Sequence, residues 1–137
     1  MNMTSKSLID SLLKGARILV VEDDWLISKL LADFLTDYGC VIVGPVSSVA
    51  GALVLASEEA IDAALLDLNV KGEEVYPVAR TLADRSIPFA FLTGYVASKV
   101  SQTYRERPVL RKPFLVENLV LILEGMLNQT GEIARAV

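Results

Sequence analysis

Residues 63–69 read AALLDLN, an apolar run that stops at a carboxylate. Four apolar residues in a row, with polar residues on either side, predict a short strand that is buried on both faces. In an open parallel sheet, ligands bind just past the carboxyl ends of the strands. Asp67 therefore lies where we expect a ligand or a nucleophile.

The rest of the chain repeats a pattern of short apolar strand and amphipathic helix. Strands are predicted at residues 17–21, 41–45, 63–69, 88–92 and from 109, and helices at 25–38, from Ser47 or Ser48 to about 57, at 73–84, 97–104 and 115–127. This alternation predicts the α/β class, with a doubly wound, five-stranded parallel sheet. We expect the domain to occupy residues 16–128, between an N-terminal helical extension at 1–15 and a C-terminal tail at 129–137.

Composition excludes several classes of function. The chain has no histidine, which excludes imidazole catalysis, and its one cysteine, Cys40, is expected to be a small buried hydrophobe. The net charge of −4, without a run of Lys or Arg, argues against a nucleic-acid partner. No apolar stretch approaches the ~20 residues that span a bilayer, and no secretory signal is evident. We therefore expect a cytoplasmic protein that does not bind membranes.

Polar side chains follow the predicted strands at the point where each strand ends. Glu22 and Asp23 follow the first strand, Asp67 ends the third, Thr93 the fourth and Lys112 the fifth. Because these ends share one edge of a parallel sheet, the side chains are expected to converge. Adjacent carboxylates raise one another's pKa unless a cation neutralises them, and an all-oxygen set suits Mg²⁺. The Lys112 charge and the Thr93 hydroxyl could bind phosphoryl oxygens.

Each position taken alone has a simpler interpretation. The acidic triplet could be a solvated turn in which Asp24 caps the next helix, a role that we do assign to Asp24. Thr93 and Gly94 could form only a turn, and Lys112 and Pro113 only a loop. The occurrence of all of them at successive strand ends favours a site.

Four motifs together resemble the receiver domain of two-component response regulators. They are ILVVEDD at 18–24, LLDLN at 65–69, LTG at 92–94 and RKPF at 111–114, and the resemblance runs from about residue 17 to 127. The segment FLTGY at 91–95 is similar to the alphaproteobacterial "FATGUY" receivers, with Leu92 where that motif has alanine. The resemblance implies a flavodoxin-like (βα)5 fold.

The resemblance also implies the chemistry. Asp67 would take a phosphoryl group from a sensor histidine kinase or a histidine phosphotransfer protein. Asp23 and Asp67 would bind Mg²⁺, with Glu22 acting through water and the Asn69 backbone carbonyl as a further ligand. The phosphoryl oxygens would then be bound by Thr93 and by Lys112, whose bond to Pro113 is usually cis in the family.

Three positions depart from the family pattern or vary within it. Val109 stands where receivers commonly have Tyr or Phe, so an aromatic switch at that position is not available. The loop after Asp67 lacks a frequent proline. Tyr95 stands two residues after Thr93, and we hypothesise that Tyr95 and Asn69 partly cover the phosphoryl group and lengthen its lifetime.

The last predicted helix is apolar on nearly every side, which predicts burial on more than one side. The N-terminal segment could cover it. Alternatively, a homodimer or target protein could bind a face formed by the fourth helix, the fifth strand and the fifth helix.

The favoured function is a single-domain phosphoacceptor, and not a substrate-turnover enzyme. It would relay phosphoryl groups, drain them from a kinase, or bind a target protein when phosphorylated. Its chemistry would be limited to self-phosphorylation and slow hydrolysis. One alternative is a pseudo-receiver scaffold that binds a partner without phosphorylation. An aspartyl-nucleophile phosphatase is less favoured, because Asn69 stands where that class needs a second aspartate. Nucleotide binding is disfavoured by the lack of a glycine-rich phosphate loop.

Overall fold

The structure is a computed structural model, which describes residues 12–94 and 100–130. The elements, in chain order, are β1 (Arg17–Val21), α1 (Trp25–Asp37), β2 (Val41–Val46), α2 (Val49–Glu58), β3 (Ala63–Asp67), β4 (Asn69–Val70), β5 (Glu73–Glu74), α3 (Tyr76–Asp84), β6 (Phe89–Thr93), a 3-10 turn (Gln102–Tyr104), β7 (Val109–Arg111) and α4 (Val116–Thr130).

Five strands form one parallel sheet in the order β2-β1-β3-β6-β7. This order is that of the flavodoxin-like fold, so the predicted fold class is confirmed. Leu19 and Val21 of β1 belong to the apolar cluster under α2 and α3, whereas Ile18 and Val20 belong to the cluster under α1 and α4. The strands are therefore buried on both faces, as their continuous apolar runs predict.

Two helices begin at the side-chain caps that the sequence indicates. Asp24 Oδ1 accepts hydrogen bonds from the backbone N–H groups of Leu26 and Ile27, at 2.9 and 3.1 Å. Ser48, rather than Ser47, caps α2, because its Oγ accepts the Gly51 N–H at 3.1 Å. Both caps satisfy backbone donors that the first helical turn leaves unpaired.

The predicted helix at 73–84 is wrong at its start, and the predicted third strand is two residues too long. β3 ends at Asp67, and a separate antiparallel hairpin of β4 and β5 precedes α3. Lys71 and Gly72 form its two-residue turn, with φ of +52° and +82°. A two-residue turn in which both φ values are positive matches the twist of paired strands, so this segment closes as a hairpin instead of entering the helix.

Other predictions concern the ends of the chain and the fourth helix. Residues 1–11, 95–99 and 131–137 lie outside the described residues, and with them most of the extension, part of the fourth helix and most of the tail.

Leu13 is buried in the same cluster as Leu123 and Met126 of α4, whereas Leu121 remains 61% exposed. Cys40 is buried, as expected. Within the described ranges, no helix is long and apolar enough to cross a bilayer.

Candidate functional site

Three carboxylates meet at the carboxyl edge of the sheet. Glu22 and Asp23 follow β1 and Asp67 ends β3, and one oxygen from each lies within 4.8 Å of the others. Glu22 is 2% exposed and Asp67 is 8% exposed, whereas Asp23 faces solvent. The cluster is therefore a partly buried pocket that opens at Asp23.

One lysine enters this pocket from the end of β7. Lys112 Nζ lies 2.8 Å from Glu22 Oε2 and 3.3 Å from Asp67 Oδ2. The Lys112–Pro113 peptide bond is cis. One cation faces three carboxylates, so an ionised cluster retains excess negative charge. Oxygen ligands with excess negative charge fit a hard divalent cation such as Mg²⁺.

Burial and mutual charge shift the ionisation of this group. Burial and the neighbouring Asp67 carboxylate together raise the pKa of Glu22 to about 7, although the Lys112 ammonium partly opposes them. For Lys112, burial alone would lower the pKa, but the Glu22 and Asp67 carboxylates outweigh it and the pKa is raised. The lysine is therefore held as a cation beside the carboxylate of Asp67.

The backbone fixes the remaining predicted residues at the same edge. Thr93 ends β6 and is 1% exposed, and its carbonyl accepts the Lys112 N–H at 2.8 Å. Asn69 N–H lies 3.4 Å from Asp67 Oδ1, at the long limit of a hydrogen bond. The Asn69 side chain instead accepts the Gly72 N–H at 3.0 Å. Tyr95 lies outside the described residues.

Two features of the site were not predicted from the sequence. The Lys71 N–H donates to Asp23 Oδ2 at 2.8 Å, so the hairpin contacts the acidic cluster. Gly72 is the sequence signal that could have shown this turn, since glycine often marks a break between elements. On the strand that Thr93 ends, Phe91 packs in an aromatic cluster, in which the Tyr104 ring lies 5.8 Å from Tyr76 and 6.1 Å from Phe91, measured between centroids.

Comparison with known proteins places this architecture in a family. Residues 18–124 match the response regulator receiver domain. The chain belongs to this family. Receiver domains are signalling modules of two-component systems that bind Mg²⁺ at an acidic pocket and interact with histidine kinases or phosphotransfer proteins. They are generally non-enzymatic.

Solved receiver structures share the fold and much of the sequence. The solution structure of SdrG from Sphingomonas melonis Fr1 is 45% identical, with a TM-score of 0.75, and the match covers 82% of this chain and 97% of that one. The BeF3-activated conformation of SdrG from Pseudomonas melonis Fr1 is 44% identical, with a TM-score of 0.71, and the match covers 83% of this receiver and 98% of that chain.

A curated relative is longer than this chain. The regulatory protein VirG of Rhizobium rhizogenes is 32% identical over 127 residues, which cover 86% of this receiver but 51% of VirG. The receiver thus spans about half the length of VirG.

Proposed function

We propose that this receiver domain accepts a phosphoryl group on Asp67 from a sensor histidine kinase or a histidine phosphotransfer protein. The observation that carries the proposal is the position of Asp67, in a pocket of three carboxylates with Lys112 Nζ 3.3 Å from its Oδ2. The phosphorylated domain then signals or relays the group through contacts with other proteins.

The residues of the pocket have different roles in the proposed phosphoryl transfer. A carboxylate oxygen of Asp67 attacks phosphorus, and the bond from phosphorus to the donor's imidazole nitrogen breaks. The imidazole leaves with the electron pair of that bond and takes up a proton. Lys112 and the Thr93 hydroxyl bind the transferred oxygens, and Lys112 remains charged because its pKa is raised.

The acidic cluster would hold one magnesium ion. Asp23 and Asp67 would be its carboxylate ligands, Glu22 would act through water, and the Asn69 main-chain carbonyl would be a further ligand. When bound, Mg²⁺ offsets negative charge on the transferring phosphoryl oxygens, which is a large part of catalysis in a loose transition state. The three carboxylates within 4.8 Å of one another support this assignment.

We further propose that the receiver works as a single domain. The match to SdrG covers 97% of that solved chain, which supports the proposal. The roles of Tyr95 and Asn69 in covering the phosphoryl group, a homodimer or target surface near β7 and α4, and a cytoplasmic location remain predictions.

Intact-mass spectrometry after incubation with Mg²⁺ and acetyl phosphate tests the proposal. We expect one base-labile phosphoryl adduct, which disappears in Asp67→Asn and in a metal-free sample. Asp24→Asn is the matched control, since asparagine caps a helix as well as aspartate and Asp24 caps α1. This variant should form the adduct at the wild-type level.

A different result would favour the scaffold alternative. If the wild type forms no adduct with acetyl phosphate or with a histidine kinase donor, and Mg²⁺ leaves Trp25 fluorescence unchanged, the phosphoacceptor function is wrong. An adduct that persists in Asp67→Asn would place the reaction at another residue.

A further inference from the structure

The β4–β5 hairpin is a fixed unit beside the acidic cluster. Asn69 pairs with Glu74 and Val70 with Glu73, and the Val70 side chain is fully buried in the core. The Gly72 N–H donates to Asn69 Oδ1 at 3.0 Å across the turn. The turn is therefore held both by its own hydrogen bonds and by a buried anchor.

The tip of this hairpin binds the exposed member of the cluster. The Lys71 N–H donates to Asp23 Oδ2 at 2.8 Å, although the two residues are 48 positions apart. In the described part of the chain, this is the hydrogen bond that the Asp23 side chain accepts. Without it, an exposed aspartate would sample several rotamers, and a metal ion would have to select one of them.

We infer that the hairpin positions Asp23 for metal binding, with the Lys71 backbone N–H holding one carboxylate oxygen and leaving the other for the ion. The inference rests on the magnesium site of the proposed function. The same hairpin carries Asn69, whose carbonyl is a proposed ligand, so one rigid unit places two of the ligands. Lys71 and Gly72 are thus positioning residues that do not contact the reacting atoms.

The positive φ angles of the turn give two variants with opposite expected effects. Gly72→Ala strains the turn, because alanine disfavours a φ of +82°. Lys71→Asn relaxes it, because asparagine tolerates the left-handed region and Asn-Gly is a preferred pair in two-residue hairpins. The position of Asp23 should loosen in the first variant and tighten in the second.

The chain offers a matched control for each variant. Gly15→Ala places alanine at a φ of +78°, again with no atom within 4 Å of the new methyl group, but before the start of β1, whereas the cluster lies past the other end of that strand. Lys71→Gln removes the lysine charge without favouring a positive φ. Comparison of Lys71→Asn with Lys71→Gln therefore separates the effect of the turn conformation on Mg²⁺ binding from the effect of removing the lysine charge.

The experiment is a Mg²⁺ titration followed by the fluorescence of the single tryptophan, Trp25, which adjoins Asp24 and is 74% exposed. We expect Gly72→Ala to weaken Mg²⁺ binding about tenfold, as is typical when a partner of a metal ligand is lost, and Gly15→Ala to change it less than twofold. Lys71→Asn should bind Mg²⁺ about threefold more tightly than Lys71→Gln does.

A second readout does not involve the metal. In Mg²⁺-free protein, amide hydrogen exchange measured by NMR should show a protected Lys71 N–H, and Asp23→Ala should remove that protection. Rapid exchange of Lys71 in the wild type would overturn the inference whatever the titrations give.

The outcomes separate the two proposals. Wild-type protein that binds no Mg²⁺ would overturn the magnesium site and the positioning role together. Wild-type binding with equal affinities in Gly72→Ala and Gly15→Ala would overturn only the positioning role and leave the proposed function intact.

Discussion

Two clusters of side chains differ in how burial affects their stability. The acidic cluster of Glu22, Asp23 and Asp67 is partly buried, and burial opposes its ionisation, as the raised pKa of Glu22 shows. The aromatic cluster contains Tyr76, Phe89, Phe91 and Tyr104, with ring centroids 5.5–6.1 Å apart. Burial of these apolar rings stabilises the folded state. In the proposed function the acidic cluster carries the chemistry; its burial costs stability, whereas burial of the aromatic cluster adds stability.

Strand alternation connects the two clusters. Phe89, Phe91 and Thr93 are alternate residues of β6 and therefore point to the same face of the sheet. Phe89 and Phe91 of the aromatic cluster thus lie on the same face of β6 as Thr93. Val109, which stands where the family commonly has an aromatic residue, packs at the edge of this core. Tyr76 and Tyr104 pack against the same core.

Phe91→Ala should produce the largest change in stability. Phe91 is fully buried and makes edge-to-face contacts with Tyr76 and Phe89, so its truncation leaves a cavity. We expect the free energy of unfolding to fall by about 3–5 kcal/mol. Urea unfolding followed by far-UV circular dichroism measures it. Trp25→Ala, at an exposed aromatic residue, should cost less than about 0.5 kcal/mol. Similar losses in the two variants would contradict the stabilising role of the aromatic cluster.

Glu22→Gln should change the pH dependence of stability in Mg²⁺-free protein. Because folding raises the pKa of Glu22 from 4.5 to about 7, the folded state binds this proton more tightly. Stability from this group is fully present below about pH 4.5 and is lost as pH rises through 7, with a loss of about 3 kcal/mol at most. Glutamine cannot ionise, so the variant should lack this loss.

The measurement is urea unfolding at pH 5 and pH 8 in the presence of a chelator. Glu106→Gln, at an exposed position, is the control and should follow the wild-type pH dependence. If Glu22→Gln and the wild type lose equal stability between the two pH values, ionisation of the buried Glu22 does not lower the free energy of unfolding.

The strand ends could be predicted from sequence because each is a local pattern. An apolar run that stops at Asp67 or Thr93 marks both the strand and the edge at which the polar residue lies. The hairpin was missed because Val75, Val78 and Leu82 follow helical spacing and extend the predicted helix backwards over β5. Pro77, which lies in the first turn of α3, is a start signal that would have corrected this boundary.

The aromatic cluster was missed for a different reason. Tyr76 and Tyr104 are separated by most of α3, β6 and the segment after it, and neither lies in a motif. Their stacking depends on how α3 and the 3-10 turn pack, which sequence spacing does not encode. The contact between Lys71 and Asp23 is similarly long-range, because it joins loops that follow different strands.

Tyr76→Phe should have the smallest effect, and it tests whether the Tyr76 side chain also stabilises the backbone at Ser101. The Tyr76 hydroxyl accepts the Ser101 N–H at 2.8 Å, so phenylalanine keeps the ring contacts and removes one hydrogen bond. We expect a loss of about 1 kcal/mol in the free energy of unfolding and faster exchange of the Ser101 amide. Tyr38→Phe, on the opposite face of the sheet, is the control. Unchanged Ser101 exchange would mean that the cluster supports β6 alone, whereas faster exchange would show that the Tyr76 side chain links the aromatic cluster to the backbone at Ser101.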